Sequence, residues 1–462
     1  MQKGTRVSYG PLARRPGVSG RALDITQGRL RDNIWQLSWP LMISQGLFFI
    51  PGLYDAYWLG RLGASALAAA TLAMSLRIVM ISVLMALSGA SGAVIARYVG
   101  GREREQADLA ATQAVLLFVL AAGGLGILGL AFTQGLLGLA GAAGDLLAPT
   151  LAYARVIFAG LIAMELVPSM GGMLNASGSP QLSLRMNLLV LFSLLALEPL
   201  LIGLGWGVTG AALALVLSNA IGMVYGLHLL ASGQAAVRIG LRHARPDWDM
   251  IKRILRIAGP GVVQRGLPNL ANSVLMRFIA GYGAAPLAVY SLFSRVSALL
   301  LVPCSGLSSA APAMVGQNLG AGQPARAARA GKRIAAVAVV IATFLMGLLA
   351  AFAGSALALF TGNPETIAGG VQAVQVLALS RVLLTLGTVM DAALTGAGDT
   401  VSPMVIAAFS LWGVMLPAVW LLSTQLGWDA SGIWWGIVIG SGLQALLLTA
   451  RFRQGLWQRL PI

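Results

Sequence analysis

Residues 199–237, 296–325 and 401–428 contain no Asp, Glu, Lys or Arg, and 186–197 is a fourth, shorter run of the same kind. Roughly 20 apolar residues cross a bilayer as a helix, so the longer runs are long enough to cross twice. Inside lipid every backbone N–H and C=O must find a partner within the protein, which leaves only helices and closed barrels. A barrel would show weak alternation of apolar and polar residues rather than unbroken runs. The expected fold class is therefore an all-α integral membrane protein. Composition agrees: 57% of residues are apolar, 10% are charged and the mean hydropathy is +0.81.

The chain also repeats its own outline at a constant offset of 220 residues. Residues 60–68 answer 280–288, so Gly63 falls on Gly283, Leu67 on Leu287 and Ala68 on Ala288. The same shift sets Pro40 on Pro260, Gly100 on Gly320, Ala107 on Ala327 and Gly178 on Gly398. Near the end of each copy it becomes 222, where Gly205, Trp206 and Gly210 answer Gly427, Trp428 and Gly432. Two hydrophobic halves repeated inside one membrane chain mark a transporter whose site lies between them.

Twelve transmembrane helices fit this outline. The first six are read at 34–59, 66–98, 109–138, 148–173, 182–204 and 208–232. The second six are read at 252–280, 286–318, 327–354, 366–394, 401–424 and 430–452. Turn residues punctuate the gaps, as in Asn175–Pro180 and Gly396–Thr400. Charge tests the layout. One set of loops and ends holds Arg102, Arg104, Arg238, Arg242, Arg245, Lys252, Arg253, Arg256, Arg326, Arg329, Lys332, Arg333, Arg451, Arg453 and Arg459. The opposite set holds only Arg61, beside Asp145, Glu365 and Asp429. The positive-inside rule then puts both termini in the cytoplasm of a multi-pass protein of the bacterial inner membrane. The expected organisation is a basic tail (1–33), a first lobe (34–232), a cytoplasmic linker (233–249), a second lobe (250–455) and a C-terminal tail (456–462). Six spans in each half give both lobes the same orientation, related by a pseudo-two-fold axis along the membrane normal. The linker reads as a solvated connector or an interfacial amphipathic segment, since Val237, Ile239 and Leu241 alternate with Arg238 and Arg242.

Other classes fall away. Lys3, Arg6, Arg14, Arg15 and Arg21 precede any long apolar run, so the start does not read as a signal peptide. One cysteine (Cys304) and two histidines leave no disulfide framework and no Cys- or His-based metal site, and no cofactor is expected. The net charge of +16 is accounted for by topology rather than by nucleic-acid binding.

A charge at the bilayer centre costs about 2.5–3.5 kcal/mol on insertion scales, so ionisable residues within spans are functional candidates. Asp55 and Glu198 stand out. Each lies about five or six residues from the same end of its span, roughly 7–9 Å below that interface. Two carboxylates at one depth can share a proton or hold a cation between them. Pro40 and Pro51 allow a kink beside Asp55. Glu165 can pair with Arg155 or Arg77, either for stability or as part of the transport path. Arg295 and Arg381 are candidates for the second half's cavity or for interhelical bonding. Asp391 lies about ten residues from Arg381, too far for the two to pair. Gln264, Asn269 and Asn272 share one helix face, where amides serve as interhelical glue or as substrate contacts. Arg185 and Arg277, near helix ends, are expected to snorkel.

The segment Pro312–Ala327 (PAMVGQNLGAGQPARA) resembles the second-half signature of the multidrug and toxic compound extrusion (MATE) transporters. Asp55 with Tyr57–Gly63 and Ala66–Ala68 is similar to that family's first-span ending, and Gly396–Thr400 and Gly205–Ala212 resemble further motifs. The resemblance covers about Asn33 to Trp457. It implies a V of two six-helix lobes, alternating access, and export of amphipathic organic compounds by a monomer in membrane lipid, driven by inward H⁺ or Na⁺. It places Asp55 on the coupling aspartate of the DinF-like branch and Glu198 where the family has a fifth-span Asp. The family's Asn one turn earlier is Leu194 here, which removes an oxygen ligand from a Na⁺ site at Asp55 and Glu198 and favours H⁺. The second-lobe acids of the NorM-like branch are replaced by residues near Pro268–Asn269 and by Leu384, and Asp391 does not inherit their role.

Two rivals are set beside this reading. A lipid-linked saccharide flippase of the same superfamily would use an arginine-lined cavity, which Arg77, Arg265, Arg295 and Arg381 could supply. An intramembrane aspartyl protease would need Tyr54–Asp55 and Gly396–Asp399 to share one water. Asp55 and Asp399 are expected near opposite membrane faces, about 30 Å apart, which excludes that chemistry.

Overall fold

The computed structural model describes residues 23–139, 144–358 and 364–460, and among them all regular structure is helical. The basic residues Lys3 to Arg21 and the side chain of Glu365 lie outside the described residues. Span 1 is two helices, α1 (Leu30–Leu47) and α2 (Phe49–Leu62). Spans 2 and 3 are α3 (Ala64–Gly100) and α4 (Arg104–Leu139). Span 4 is α5 (Leu147–Ala159) with α6 (Leu161–Ala176), and spans 5 and 6 are α7 (Pro180–Leu201) and α8 (Gly207–Ala231). In the second copy, α9 (Trp248–Ala280) is span 7, and α10 (Ala284–Leu300) with α11 (Val302–Gly320) is span 8. Then come α12 (Pro324–Ala351), the short α13 (Ala353–Ala358) and α14 (Pro364–Gly396). Span 11 contains α15 (Val401–Ala408) and α16 (Leu416–Trp420), joined and followed by π-helical turns, and α17 (Asp429–Gln454) is span 12.

Length and apolarity alone single out seven of these stretches as membrane-crossing, and the bent pairs α5–α6 and α10–α11 qualify when each is taken as one span. The stretch 180–231 counts once by that measure but would be about 78 Å long if straight. It turns back at Gly205 and Gly207, whose φ angles of +85° and +51° few other residues adopt, and α7 packs along α8. It therefore crosses twice. Spans 1 and 7, which occupy the same place in the two copies, are the most polar and complete the twelve. The repeat has a conformational cause as well. Gly63 and Gly283 both sit at positive φ (+124° and +104°), closing equivalent turns after spans 1 and 7.

Packing divides each lobe into a layer at the basic end and a layer at the opposite end. The basic-end layers exchange helices. Met250, Ile254, Ile257 and Ala258 of α9 pack in the first-lobe core, while Leu30, Ile34, Leu37 and Leu41 of α1 pack in the second. The basic-end parts of spans 1 and 7 thus tie the two lobes together. Side-chain periodicity along one helix says which face is buried but not against which lobe.

At the centre of the basic end, the ends of α3 and α11 cross with their backbones touching. A methyl group built on Gly100 would lie 1.9 Å from the Gln317 carbonyl oxygen, and one on Gly320 would lie 1.9 Å from that of Arg97. Arg97 and Gln317 are themselves 220 residues apart, so the contact is self-complementary about the pseudo-two-fold axis. Further bonds seal this end. Gln317 Nε2 donates to the Ala176 carbonyl at 2.7 Å, Arg97 donates to that of Leu460 at 3.1 Å, and Arg253 donates to the Tyr98 hydroxyl.

At the opposite end, the lobes part. α2 packs against α3, α7 and α8 of its own lobe, and α10 against α9, α12 and α14 of the other, while α1 and α11 pack on each other. The result is a cleft closed at the basic end and open at the other.

Several sequence expectations change. Span 1 breaks at Phe48 rather than beside Asp55. The ring of Pro51 removes an N–H and crowds the Leu47 carbonyl four residues back, while Pro40 is accommodated within α1. Spans 4 and 8, read as single helices, bend by 50° and 60°. Pro303 explains the second bend in the same way, by crowding Leu299. The linker is docked rather than solvated. Gln113 Nε2 donates to the carbonyls of His243 and Arg245, both at 2.8 Å, and Val237 is fully buried. The end of the expected N-terminal tail is docked too, with Leu23 N–H bonded to the Gly178 carbonyl and Arg326 donating to those of Gln27 and Gly28. Near the C-terminus, Trp457 is fully buried and stacks on Phe452 with ring centroids 4.6 Å apart. Trp457→Ala should cost about 3–5 kcal/mol, seen as a lower unfolding temperature in detergent.

Candidate functional site

Two side chains that the sequence singled out come together in the first lobe. Asp55 projects from α2 and Glu198 from α7, and their two buried carboxyl groups are near neighbours. Asp55 is 8% exposed and Glu198 is 0% exposed. Position explains the meeting, since α2 lies against α7. Tyr54, next to Asp55, ties the two helices by donating to the Leu195 carbonyl at 2.9 Å.

A third residue was missed. The Tyr153 hydroxyl, from α5, donates to Asp55 Oδ2 at 3.5 Å, and its ring is completely buried. A single tyrosine in an apolar run carries no signal of its own, and only the packing of α5 on α3 and α8 brings it here. Among the described residues, Asp55 Oδ1 and both Glu198 oxygens have no hydrogen-bond partner and are sealed from solvent. Sealed carboxylate oxygens without donors are costly when charged. Leu194, one turn before Glu198, is buried in the lobe's apolar core and offers no oxygen.

Of the two partners expected for Glu165, the structure selects Arg77. Its Nη2 and Nε reach Glu165 Oε1 at 2.6 and 3.0 Å, joining α3 to α6, while Arg155 is exposed. Arg77 and Glu165 thereby neutralise each other.

The second lobe arranges its polar residues differently. Gln264 Nε2 donates to Asp391 Oδ1 at 2.6 Å, joining α9 to α14, and Arg265 supplies the opposite charge close by. Asn272 accepts from the Tyr290 hydroxyl at 3.3 Å, joining α9 to α10. Asn269 bonds back to the Arg265 carbonyl of its own helix and is exposed. Gln264 and Asn272 are thus interhelical ties, and Asn269 is not. Arg381 donates to Ser294 Oγ at 3.4 Å and lies over the Phe293 ring at 5.6 Å. Arg295 is exposed, with no hydrogen bond or ion pair among the described residues, so the interhelical bonding weighed for it is not seen. Arg185 and Arg277 are exposed, in keeping with snorkelling.

Asp399 is occupied structurally. It accepts from Ser402 N–H at 3.1 Å and pairs with Arg451 at 2.9 Å, at the basic end and away from Asp55.

Two like-built bundles around a cleft closed at one end define a membrane transporter, not an enzyme. The comparisons give its family: the model described as MatE matches residues 40–200 and again 260–421, once per repeat, and the chain belongs to this family. It is similar to the probable multidrug resistance protein YoeA of Bacillus subtilis, 23% identical over 456 residues, covering 95% of this chain and 97% of that protein. It is similar to the multidrug export protein MepA of Staphylococcus haemolyticus, at 24% identity over 89% of this chain and 90% of that one. A solved structure of a MATE protein in the bent conformation matches with a TM-score of 0.87 at 25% identity, covering 93% of this chain and 96% of its own.

Proposed function

We propose that this transporter exports amphipathic organic compounds from the cytoplasm in exchange for H⁺, with Asp55 and Glu198 as the coupling site. The observation that carries the reading is the pair of sealed carboxyl groups, poorly supplied with donors among the described residues, inside a lobe of a cleft transporter. The names of the relatives, multidrug resistance and multidrug export, support the substrate class. The basic end is cytoplasmic by its Arg and Lys content, which makes the cleft outward-open and places both chain ends inside the cell. In this state a proton from outside reaches the pair while substrate leaves. Rocking the lobes then opens the basic end, releases the proton and admits the next substrate. Na⁺ is the weaker candidate, since it would need several oxygen ligands, and the surroundings beyond Tyr153 and the two carboxyls are apolar. The unit of transport is a monomer.

The test is dye export in proteoliposomes under an imposed proton gradient or an imposed sodium gradient. A proton gradient should drive concentrative export by the wild type, and a sodium gradient at uniform pH should not. The Asp55→Asn/Glu198→Gln double variant should bind dye but not concentrate it. Continued uphill export by that variant would sink the assignment.

A further inference from the structure

Arg77 and Arg381 both sit within the spans around the cleft, and Arg77 has its charge answered by Glu165 at 2.6 Å. Arg381 has no carboxylate within ion-pair distance among the described residues, and its one hydrogen bond is the 3.4 Å contact to Ser294 Oγ. A guanidinium carries five N–H donors, so most of Arg381's hydrogen-bonding capacity is unused. None of its nitrogens is among the buried side-chain atoms that lack a partner, so the unused donors reach accessible surface. The helix that bears it, α14, is packed against α3, α10, α11, α12 and α17, which leaves the cleft as the space those donors face. Aromatic surface lies alongside: the guanidinium rests over Phe293, and Tyr290, on the same helix, stacks parallel to Trp434 at 6.1 Å.

An unanswered charge within a span is costly, and a purely structural arginine would offset that cost through a fixed acid. We propose that Arg381, with Ser294, is an anion subsite in the second lobe, taking the carboxylate or comparable acidic group of an amphipathic substrate whose ring system lies against Phe293 and Tyr290. The proposal rests on the export reading and adds to it. The first lobe presents an acidic couple and the second an unpaired cation, so zwitterionic and anionic amphipaths are accepted beside neutral and cationic ones.

The experiment compares two rhodamine dyes that differ by one charge, the free carboxylate and its methyl ester, in proteoliposomes driven by a proton gradient. Wild type should export both. Arg381→Gln should lower export of the acid by about tenfold or more, the worth of a hydrogen-bonded charge, and leave the ester within about threefold. Arg381→Lys should retain most of the acid export. Equal loss of both dyes, or no selective loss of the acid, overturns the proposal. Wild-type export of the ester alone overturns it too and leaves the export reading standing, whereas export of neither dye removes that reading as well. Should Arg381→Gln not fold, binding to the detergent-purified wild type decides. The acid should bind about fivefold or more tighter than the ester, with salt weakening the acid alone, and equal affinities would refute the subsite.

Discussion

Gly320→Ala should trap the transporter with its basic end open. The added methyl would lie 1.9 Å from the Arg97 carbonyl oxygen and 2.9 Å from the Gly101 nitrogen. Both obstacles are backbone, so no side chain can rotate away, and the two lobes must separate. Gly100→Ala meets the Gln317 carbonyl at the same 1.9 Å and should act alike. Overpacking of this kind costs about 1–3 kcal/mol or more, and about 3 kcal/mol shifts a two-state equilibrium by more than a hundredfold. Only the state closed at the basic end bears this cost. Substrate binding should therefore survive while export stops. Spin labels at exposed Arg104 and Arg329, one on each lobe, would report a longer separation, and the lone buried Cys304 is a small obstacle to selective labelling. Gly60→Ala, which has open space around it, is the control and should change neither reading. An unchanged label distance in both crossing variants would count against contact-controlled closure.

Arg77→Leu should be among the most destabilising single changes in the first lobe. It leaves Glu165, 4% exposed, without the one charged partner it has among the described residues. Breaking a buried pair from one side costs about 3–5 kcal/mol, whereas replacing both members by apolar residues is often neutral. The Arg77→Leu/Glu165→Leu double variant should thus recover most of the loss in detergent thermal unfolding. Such recovery separates a pair kept for stability from one that handles substrate, because only the latter would leave the double variant stable yet unable to transport. A double variant no more stable than Arg77→Leu would show that Glu165 does not depend on this partner.

What was legible in the sequence follows from which forces act locally. Charge-free runs specify spanning helices because the bilayer leaves backbone no alternative, and the 220-residue repeat marks equivalent turns and crossings. Asp55 and Glu198 were legible because a carboxyl in lipid is conspicuous wherever it falls. Tyr153, by contrast, costs nothing visible in an apolar run, and Leu23–Arg29 looks like any polar tail until Asn318 and Arg326 are seen to bind its carbonyls. The exchange of α1 and α9 between lobes was hidden for a similar reason, since either lobe would satisfy the same apolar face. The proline breaks at Phe48 and Leu301 were half legible: Pro51 and Pro303 are visible, but Pro40 and Pro260 sit in unbroken helix.

Each bend falls in one copy of the repeat only: spans 1, 4 and 8 are interrupted where spans 7, 10 and 2 run through. Two of the three interruptions lie directly beneath the groups around Asp55, since α2 begins just past Phe48 and α5 ends at Gly160. Asp55 and Tyr153 are thus mounted on jointed upper segments, while the lower segments, α1 and α6, pack on the helices that make the glycine crossing, α11 and α3. Duplication built two like scaffolds whose supports are jointed at different spans.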